Sequence, residues 1–206
     1  MLSTIQIFNL KLGVHKIMFI IISGSSGAGK NTVINELFKK DKRLKRFVTY
    51  TTRAKREGEV DHFTYHYISK DEFKKKMKAN EFLEVECIHE NMYGSSALDL
   101  AEAIKNGHIL INDFGVEGVK NLKDKLSGKV DLLTIYLSVP KEVLRQRLKE
   151  RGDKADNIEI RMQRYDYEKE FAKDYDYVIE NINLEATVNQ IQCIINKRLK
   201  NTEIEQ

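Results

Sequence analysis

Three glycines and one lysine have the spacing that a phosphate-binding loop requires. Gly24, Gly27 and Gly29 precede Lys30 in the heptapeptide GSSGAGK. Glycine lets the backbone turn sharply and bring its N–H groups close to an anion, since no Cβ stands in the way. The ammonium group of Lys30 adds a charge that follows the β- and γ-phosphates of a nucleotide. The spacing G-x-x-x-x-G-K alone arises by chance in roughly one chain in twenty of this length, so the flanking elements must decide.

The elements on both sides of the loop are those that a phosphate site needs. Residues 17–23 form an apolar run rich in β-branched side chains, which is typical of a buried parallel strand. Residues 32–40 follow with helical spacing of apolar side chains, and the positive end of the helix dipole would point at the same anion. Strand, loop and helix together predict that this segment binds ATP. The residues expected to contact ATP are Gly24, Ser25, Ser26, Gly27, Ala28, Gly29, Lys30, Asn31 and Thr32.

The position after Lys30 departs from the usual pattern of such loops. Ser or Thr normally stands there and holds Mg²⁺, whereas this chain has Asn31, followed by Thr32. The amide oxygen of Asn31, the hydroxyl group of Thr32 or a water molecule could substitute, because each is a hard oxygen ligand. We therefore expect Mg²⁺ as the cofactor of bound ATP, and these three ligands stay open as alternatives.

Further strand and helix patterns extend this unit into an α/β fold. Strand-like apolar runs at 109–114, 132–139 and 177–180 are each followed by helical sequence. Such alternation predicts a parallel β-sheet flanked by helices. Residues 47–96 have a different texture, with alternating aromatic side chains, and predict a small β-containing insertion. Residues 141–170 are strongly charged and helical, with a break at the triplet RGD, and predict a mobile helical lid.

Two arginines three residues apart indicate a second anion site. Arg53 and Arg56 lie in the segment TTRAKREGE, and guanidinium groups match the geometry of a phosphate dianion. Downstream come Tyr65, the triplet FLE that ends at Glu84, and the triplet YGS at 93–95. With the glycine loop, these ordered motifs resemble guanylate kinase. The resemblance continues through RL at 147–148, RG at 151–152, Arg161, DYVI at 176–179 and Asn181, so it covers nearly all of the chain from residue 17.

The resemblance implies a P-loop NTPase core and the transfer of the γ-phosphoryl group of ATP to GMP. Tyrosine hydroxyl groups would complete the phosphate site, and a closing lid would exclude water and neutralise charge. The carboxylate of Glu84 would recognise guanine, because it can accept from N1–H and from the exocyclic N2–H₂, a donor pair that adenine lacks. The resemblance implies that GMP is bound by Thr49, Arg53, Arg56, Tyr65, Glu84, Tyr93, Ser95 and Asp113. It implies that the catalytic residues are Lys30, Arg53, Arg147, Arg151 and Arg161, with help from Arg164. It also adds Asn181 to the ATP site.

A second departure from the family lies in the segment NDFGVEG at 112–118. The family usually carries two acids here, separated by an apolar residue; Asp113 matches the first and Gly115 replaces the second. Asp113 lies at the carboxyl end of a predicted strand and is well placed for Mg²⁺ and its waters. The second acid normally assists guanine recognition. We therefore expect weaker GMP binding, or a contact moved to Glu117 or to water.

The bulk composition predicts one globular domain with small-molecule partners. The 206 residues, 41% of them hydrophobic, can bury a core. Residues 17–206 would form the domain, with its core at 17–48, 97–140 and 171–206, the GMP-binding insertion at 49–96 and the lid at 141–170. Residues 1–16 lack the apolar stretch of a secretory signal and are expected to be a disordered N-terminal extension.

The same composition bears on the surroundings of the protein. A net charge of +4 gives little preference for nucleic acid, and the longest apolar run is far too short for a membrane span of about 20 residues. Two distant cysteines, Cys87 and Cys193, favour a reducing cytoplasm. We expect ATP and GMP as partners, no nucleic acid, no membrane, and a monomer or homodimer.

Two other functions compete with this prediction. One is a non-catalytic guanylate-kinase-like module that binds proteins; such modules usually degrade the phosphate loop, whereas this chain keeps Lys30. The other is a P-loop kinase for another small phosphorylated acceptor. The glycine at position 115 leaves that alternative open, while Glu84 favours guanine.

Overall fold

The computed structural model describes residues 17–88, 90–106 and 108–204. The predicted N-terminal extension, residues 1–16, lies outside the described residues. No helix in the described part of the chain is long and apolar enough to cross a membrane. In chain order the elements are β1 (Met18–Ser23), α1 (Lys30–Lys40), β2 (Leu44–Arg46), β3 (Thr49–Thr51), β4 (Tyr65–Tyr67), α2 (Lys70–Lys78), β5 (Phe82–Ile88), β6 (Asn91–Ser96), α3 (Ala97–Lys105), β7 (Ile109–Asp113), α4 (Val116–Leu126), β8 (Asp131–Ser138), α5 (Lys141–Glu150), α6 (Ala155–Glu170), a 3₁₀ turn (Phe171–Asp174), β9 (Tyr177–Glu180) and α7 (Leu184–Ile204).

The chain divides into two compact units. Among the described residues, one unit comprises 17–21 together with 43–133, and the other comprises 22–42 together with 134–204. The main sheet has the strand order β2-β7-β1-β8-β9, and the division passes through β1 and β8. The pairings of β2 with β7 and of β8 with β9 are parallel, which agrees with the predicted parallel α/β sheet.

The first unit carries a second, four-stranded sheet in the order β4-β3-β6-β5. Strand β3 pairs parallel with β4 and antiparallel with β6, and β6 also pairs antiparallel with β5. This sheet confirms the β-structure predicted for residues 47–96. In the same unit, the ring of Phe19 packs edge-on against those of Phe47 and Phe114, with centroids 5.2 and 6.0 Å apart. These buried aromatic rings give this unit part of its own core.

In the second unit, the helices bury one apolar face each. Helix α1 buries Val33, Ile34 and Leu37, at the helical spacing that the sequence showed. It begins at Lys30, two residues before the predicted start, because the left-handed backbone of Gly29 forms its N-cap. The predicted lid is two helices, α5 and α6, and the chain between them turns at Gly152 with φ +84°. The break predicted at the triplet RGD is therefore confirmed.

Candidate functional site

The glycine loop connects β1 to α1 and takes a shape that only glycine permits at two of its positions. Gly24 has φ +140°, and a Cβ there would lie 2.5 Å from the carbonyl oxygen of Leu137. Gly29 has φ +85°, and a Cβ there would lie 2.8 Å from Nδ2 of Asn181. Backbone conformation and lack of space thus both exclude a side chain. The spacing recognised in the sequence has this physical cause.

Lys30 lies over the loop at the N-terminus of α1. Its Nζ donates to the carbonyl oxygens of Gly24, at 2.6 Å, and Ser25, at 3.3 Å. No acidic residue occupies the first turn of α1, so the positive end of the helix dipole is not offset by a carboxylate of that turn. Asn31, which is half-buried, and Thr32, which is exposed, follow in the same turn. This arrangement suits an anion with several oxygen atoms.

Asn181 supports the loop from the end of β9. Its Nδ2 donates to the carbonyl oxygen of Ala28 at 2.7 Å, and its backbone N–H donates to that of Ser138 at 2.9 Å. Its own carbonyl oxygen accepts from Nη2 of Arg147 at 2.8 Å. The side chain of Asn181 therefore holds the loop backbone in place, and the backbone carbonyl oxygen of the same residue binds a predicted lid arginine.

Two further lid arginines, Arg151 and Arg161, meet at Asp153, a residue to which the sequence assigned no role. Arg151 donates to both carboxylate oxygens of Asp153, at 2.8 and 2.6 Å. Arg161 has its Nε 3.4 Å from Oδ2 of the same carboxylate, and its Nη1 donates to Oγ of Ser26 in the loop. Arg164 instead pairs along its own helix. Of these three arginines, Arg161 contacts the loop. Asp153 pairs with both Arg161 and Arg151 and thereby orients their guanidinium groups.

In the first unit, Glu59 organises the predicted phosphate-binding arginines. Nη1 and Nη2 of Arg53 donate to its two oxygens at 3.0 and 2.7 Å, and the backbone N–H of Arg56 donates to it at 2.8 Å. The hydroxyl group of Tyr67 donates at 2.8 Å. Although burial acts in the opposite direction, these donors lower the pKa of Glu59. Glu59 lies inside the TTRAKREGE motif. An acid so close in sequence to Arg53 and Arg56 was a signal that it pairs with them.

Tyr65 lies beside Arg53 and Tyr93 lies beside Tyr65, whereas the side chain of Arg56 is exposed. The guanidinium group of Arg53 is 5.5 Å from the centroid of the Tyr65 ring, and the rings of Tyr65 and Tyr93 are 6.0 Å apart. Burial raises the pKa of Tyr65 well above its ordinary value, so its hydroxyl group stays a donor. The side chain of Arg56 is exposed. The structure thus brings three of the four predicted phosphate-binding side chains together.

Glu84 is a buried carboxylate with one oxygen held in place. A register shift after Phe82 sets Glu84 opposite Ser95 across β5 and β6, and Oγ of Ser95 donates to Oε1 at 2.7 Å. Its Oε2 is also buried and accepts no hydrogen bond from any residue that the structure describes. Burial raises the pKa of Glu84 to about 7, and Ser95 and the charge of Lys125 act in the opposite direction. The Oε2 atom of Glu84 is thus a buried acceptor without a donor among the described residues.

Thr49 begins β3, Asp113 ends β7, and Asn112 and Arg46 link the two residues. Nδ2 of Asn112 donates to Oγ1 of Thr49 at 3.4 Å, and Nη1 of Arg46 donates to Oδ1 of Asn112 at 3.2 Å. The same Nη1 lies 4.0 Å from Oδ1 of Asp113, which accepts no hydrogen bond from the described residues. Among those residues there is no cluster of three or more His, Cys, Asp or Glu side chains that could hold a metal. Mg²⁺ fits such surroundings, because it usually takes only one or two protein ligands beside phosphate oxygens and water.

A glycine loop that follows a buried strand and opens a helix, on a parallel sheet flanked by helices, defines a P-loop protein of the α/β class. The family model described as "Guanylate kinase" matches residues 16–198. The chain belongs to the guanylate kinase family. It is 36% identical to the guanylate kinase of Bartonella henselae over 84% of this chain and 78% of that protein, and 35% identical to the guanylate kinase of Rickettsia typhi over 91% and 95%. Its fold is similar to the crystal structure of guanylate kinase from Anaplasma phagocytophilum, with a TM-score of 0.73 at 24% identity over 89% of this chain and 86% of that one.

Proposed function

We propose that this protein transfers the γ-phosphoryl group of ATP to GMP and releases ADP and GDP. Membership of the guanylate kinase family supports this activity, as do the names of the curated relatives. One feature of the structure carries the assignment of the acceptor: the buried carboxylate of Glu84. This carboxylate selects guanine as the base of the acceptor.

The geometry around Glu84 fits a guanine edge. A buried acceptor without a donor costs free energy, so a buried Oε2 that accepts from no described residue favours a ligand with N–H groups. Guanine offers N1–H and the exocyclic N2–H₂ side by side, and one carboxylate can accept from both. Adenine carries an acceptor at N1 and would leave the carboxylate unsatisfied. Ser95 fixes Oε1 and thereby the orientation of the carboxylate plane.

Around the two phosphate groups, the residues act by positioning and by stabilising charge. Arg53, Arg56, Tyr65 and Tyr93 bind the phosphate of GMP, since arginine and tyrosine donors match a dianion. The loop from Gly24 to Gly29 binds ATP through its backbone, assisted by Asn31, Thr32 and Asn181. No side-chain base is required, because the attacking phosphate oxygen is already ionised near neutral pH. The residues we assign to charge stabilisation during in-line transfer are Lys30, Arg53, Arg147, Arg151 and Arg161.

We propose that Mg²⁺ accompanies ATP in this reaction. We assign Asn31, Thr32 and Asp113 to the ion, partly through water, because amide, hydroxyl and carboxylate oxygens are hard ligands. When bound, the ion neutralises charge on the β- and γ-phosphates of ATP.

The remaining assignments follow from this activity. We propose residues 49–96 as the GMP-binding insertion and 141–170 as the lid that closes over ATP, on a core at 17–48, 97–140 and 171–206. The partners are ATP and GMP rather than nucleic acid or a membrane. A monomer or homodimer in the cytoplasm would carry out this reaction.

A coupled assay of ADP release tests the proposal. ATP is supplied with GMP, AMP, CMP or UMP, and wild type is compared with Lys30→Ala. Lys39→Ala is the matched control, since Lys39 is an exposed lysine at the other end of the same helix. We expect turnover with GMP, retention of that turnover in Lys39→Ala, and its loss in Lys30→Ala. Turnover with AMP but not GMP would refute the acceptor, and no turnover with any acceptor would favour a binding module.

A further inference from the structure

A second carboxylate fills the space beside Gly115. A Cβ added to Gly115 would lie 2.6 Å from Cδ of Glu86, and closer still to both of its carboxylate oxygens. The backbone of Gly115, with φ −69° and ψ 159°, is one that any residue adopts. Conformation therefore does not require glycine here, and the nearest atoms that a Cβ would meet are those of the Glu86 carboxylate. The missing side chain at position 115 makes room for the carboxylate of Glu86.

Glu86 and Glu84 present their carboxylates to the same place. They are two residues apart on β5, so their side chains leave the same face of the strand. Both are buried, with 6% and 4% of their surface exposed. A Cβ on Gly118, in the first turn of α4, would lie 3.0 Å from Oε2 of Glu86 and 3.3 Å from Oε2 of Glu84. Two glycines at the start of α4 thus accommodate two converging carboxylates.

Such a pair is unfavourable unless other groups compensate its charge. Two buried carboxylates close together disfavour ionisation of both. The N-terminus of α4 offsets part of this cost, and Lys125 of the same helix provides a nearby positive charge that acts on Glu84. A buried acid pair of this kind is typical of a functional site rather than of a core.

Guanine presents three N–H donors on one edge, and a single carboxylate uses two of them. If Glu84 accepts from N1–H and one hydrogen of the exocyclic amine, the second amine hydrogen still needs an acceptor. We propose that Glu86 accepts it and takes the part of the acid that Gly115 replaces, an inference that rests on the proposed function. Glu117, which the sequence offered as a substitute, is exposed on the first turn of α4 and does not occupy the space beside Gly115.

The test compares the dissociation constants of GMP and inosine monophosphate, which lacks the exocyclic amine. Glu86→Ala is expected to lower the preference for GMP over inosine monophosphate about tenfold or more, because a hydrogen bond to a charged group is lost only with GMP. The double variant Glu86→Ala/Gly115→Asp places a carboxylate on the other side of the same space. It is expected to restore the preference to within about threefold of wild type, since the two sites are coupled. Glu102→Gln, an exposed acid on α3, is the matched control.

The possible outcomes separate binding from structure. If Glu86 only stabilises the start of α4, its removal lowers the melting temperature and weakens both nucleotides equally, which overturns the inference. A loss of preference in Glu117→Gln but not in Glu86→Ala overturns it as well. If Glu86→Ala does not fold, the double variant decides, because a folded double variant without preference contradicts the proposal. A wild-type protein that phosphorylates GMP but binds both nucleotides equally refutes this inference and leaves the phosphoryl transfer to GMP standing, whereas one that neither binds nor phosphorylates GMP refutes the proposed function.

Discussion

GMP binding is expected to strengthen about tenfold between about pH 6 and about pH 8, because Glu84 must be ionised to accept from guanine at two positions. Burial raises the pKa of Glu84 from 4.5 to about 7, opposed by Ser95 and Lys125. The ionised fraction is then about one tenth at about pH 6 and about nine tenths at about pH 8. Apparent affinity scales with the fraction of protein that can bind.

The same raised pKa of Glu84 lowers the stability of the ligand-free protein as the pH rises. The folded state favours the neutral carboxyl group, because the pKa of Glu84 is raised above 4.5. Glu84 therefore makes its full contribution to the free energy of unfolding below pH 4.5, and this contribution is lost as the pH rises through about 7. The loss totals about 3 kcal/mol. Glu84→Gln lacks this term, so it should lose less stability than wild type over the same range.

Calorimetric titration of GMP measures the effect on binding directly. Near pH 7, wild type should release about half a proton on binding GMP, which appears as a dependence of the measured heat on the ionisation enthalpy of the buffer. The phosphate of GMP also titrates near pH 6, and comparison with Glu84→Gln removes that contribution. Glu81→Gln, at a more exposed acid just before β5, is the matched control. The reasoning is refuted if wild type and Glu84→Gln show the same pH dependence, or if wild type takes up protons on binding.

Two further predictions concern the loop and the phosphate site. Gly29→Ala should raise the KM for ATP tenfold or more, because the added Cβ would displace Asn181, and an unchanged KM would contradict this. Gly128→Ala is the control: it should lower the free energy of unfolding by about 1–2 kcal/mol and leave the KM for ATP unchanged, since nothing lies within 4 Å of its Cβ. Arg53→Lys should raise the KM for GMP by about tenfold or more in steady-state kinetics, because lysine cannot form a two-point contact with phosphate. Arg145→Lys, a change in an exposed ion pair, should leave the KM for GMP unchanged. Equal effects of the two substitutions on that KM would argue against a phosphate contact for Arg53.

Features that depend on short stretches of chain were predictable. The loop from Gly24 to Lys30 could be recognised because its glycines, its lysine and the flanking apolar runs are all within about two dozen residues. The lid break at Gly152 was predictable for the same reason, since a glycine in a helical pattern acts locally. The start of α1 was misplaced by two residues, because the cap depends on the backbone of Gly29.

Contacts between distant residues could not be predicted in the same way. Asn181 was assigned to the ATP site, but its support of the backbone at Ala28 joins positions 153 residues apart. Asp153 received no role, although it pairs with both Arg151 and Arg161. The sequence did contain a signal for Glu59, an acid within a motif of donors. For Asp153 the signal was weak, because a carboxylate near an arginine is common on helix surfaces.

The amino-acid sequence by itself indicated the family and predicted the roles of the glycine loop and of Glu84, because motif spacing and residue chemistry are properties of the chain. It also showed that Gly115 lacks the expected acid, and it proposed Glu117 or water instead. Only the tertiary structure placed Glu86 beside Gly115, since that contact joins β5 to the start of α4 across 29 positions. Strand alternation sets the face on which Glu86 lies, but packing of a strand against a helix decides what that face meets.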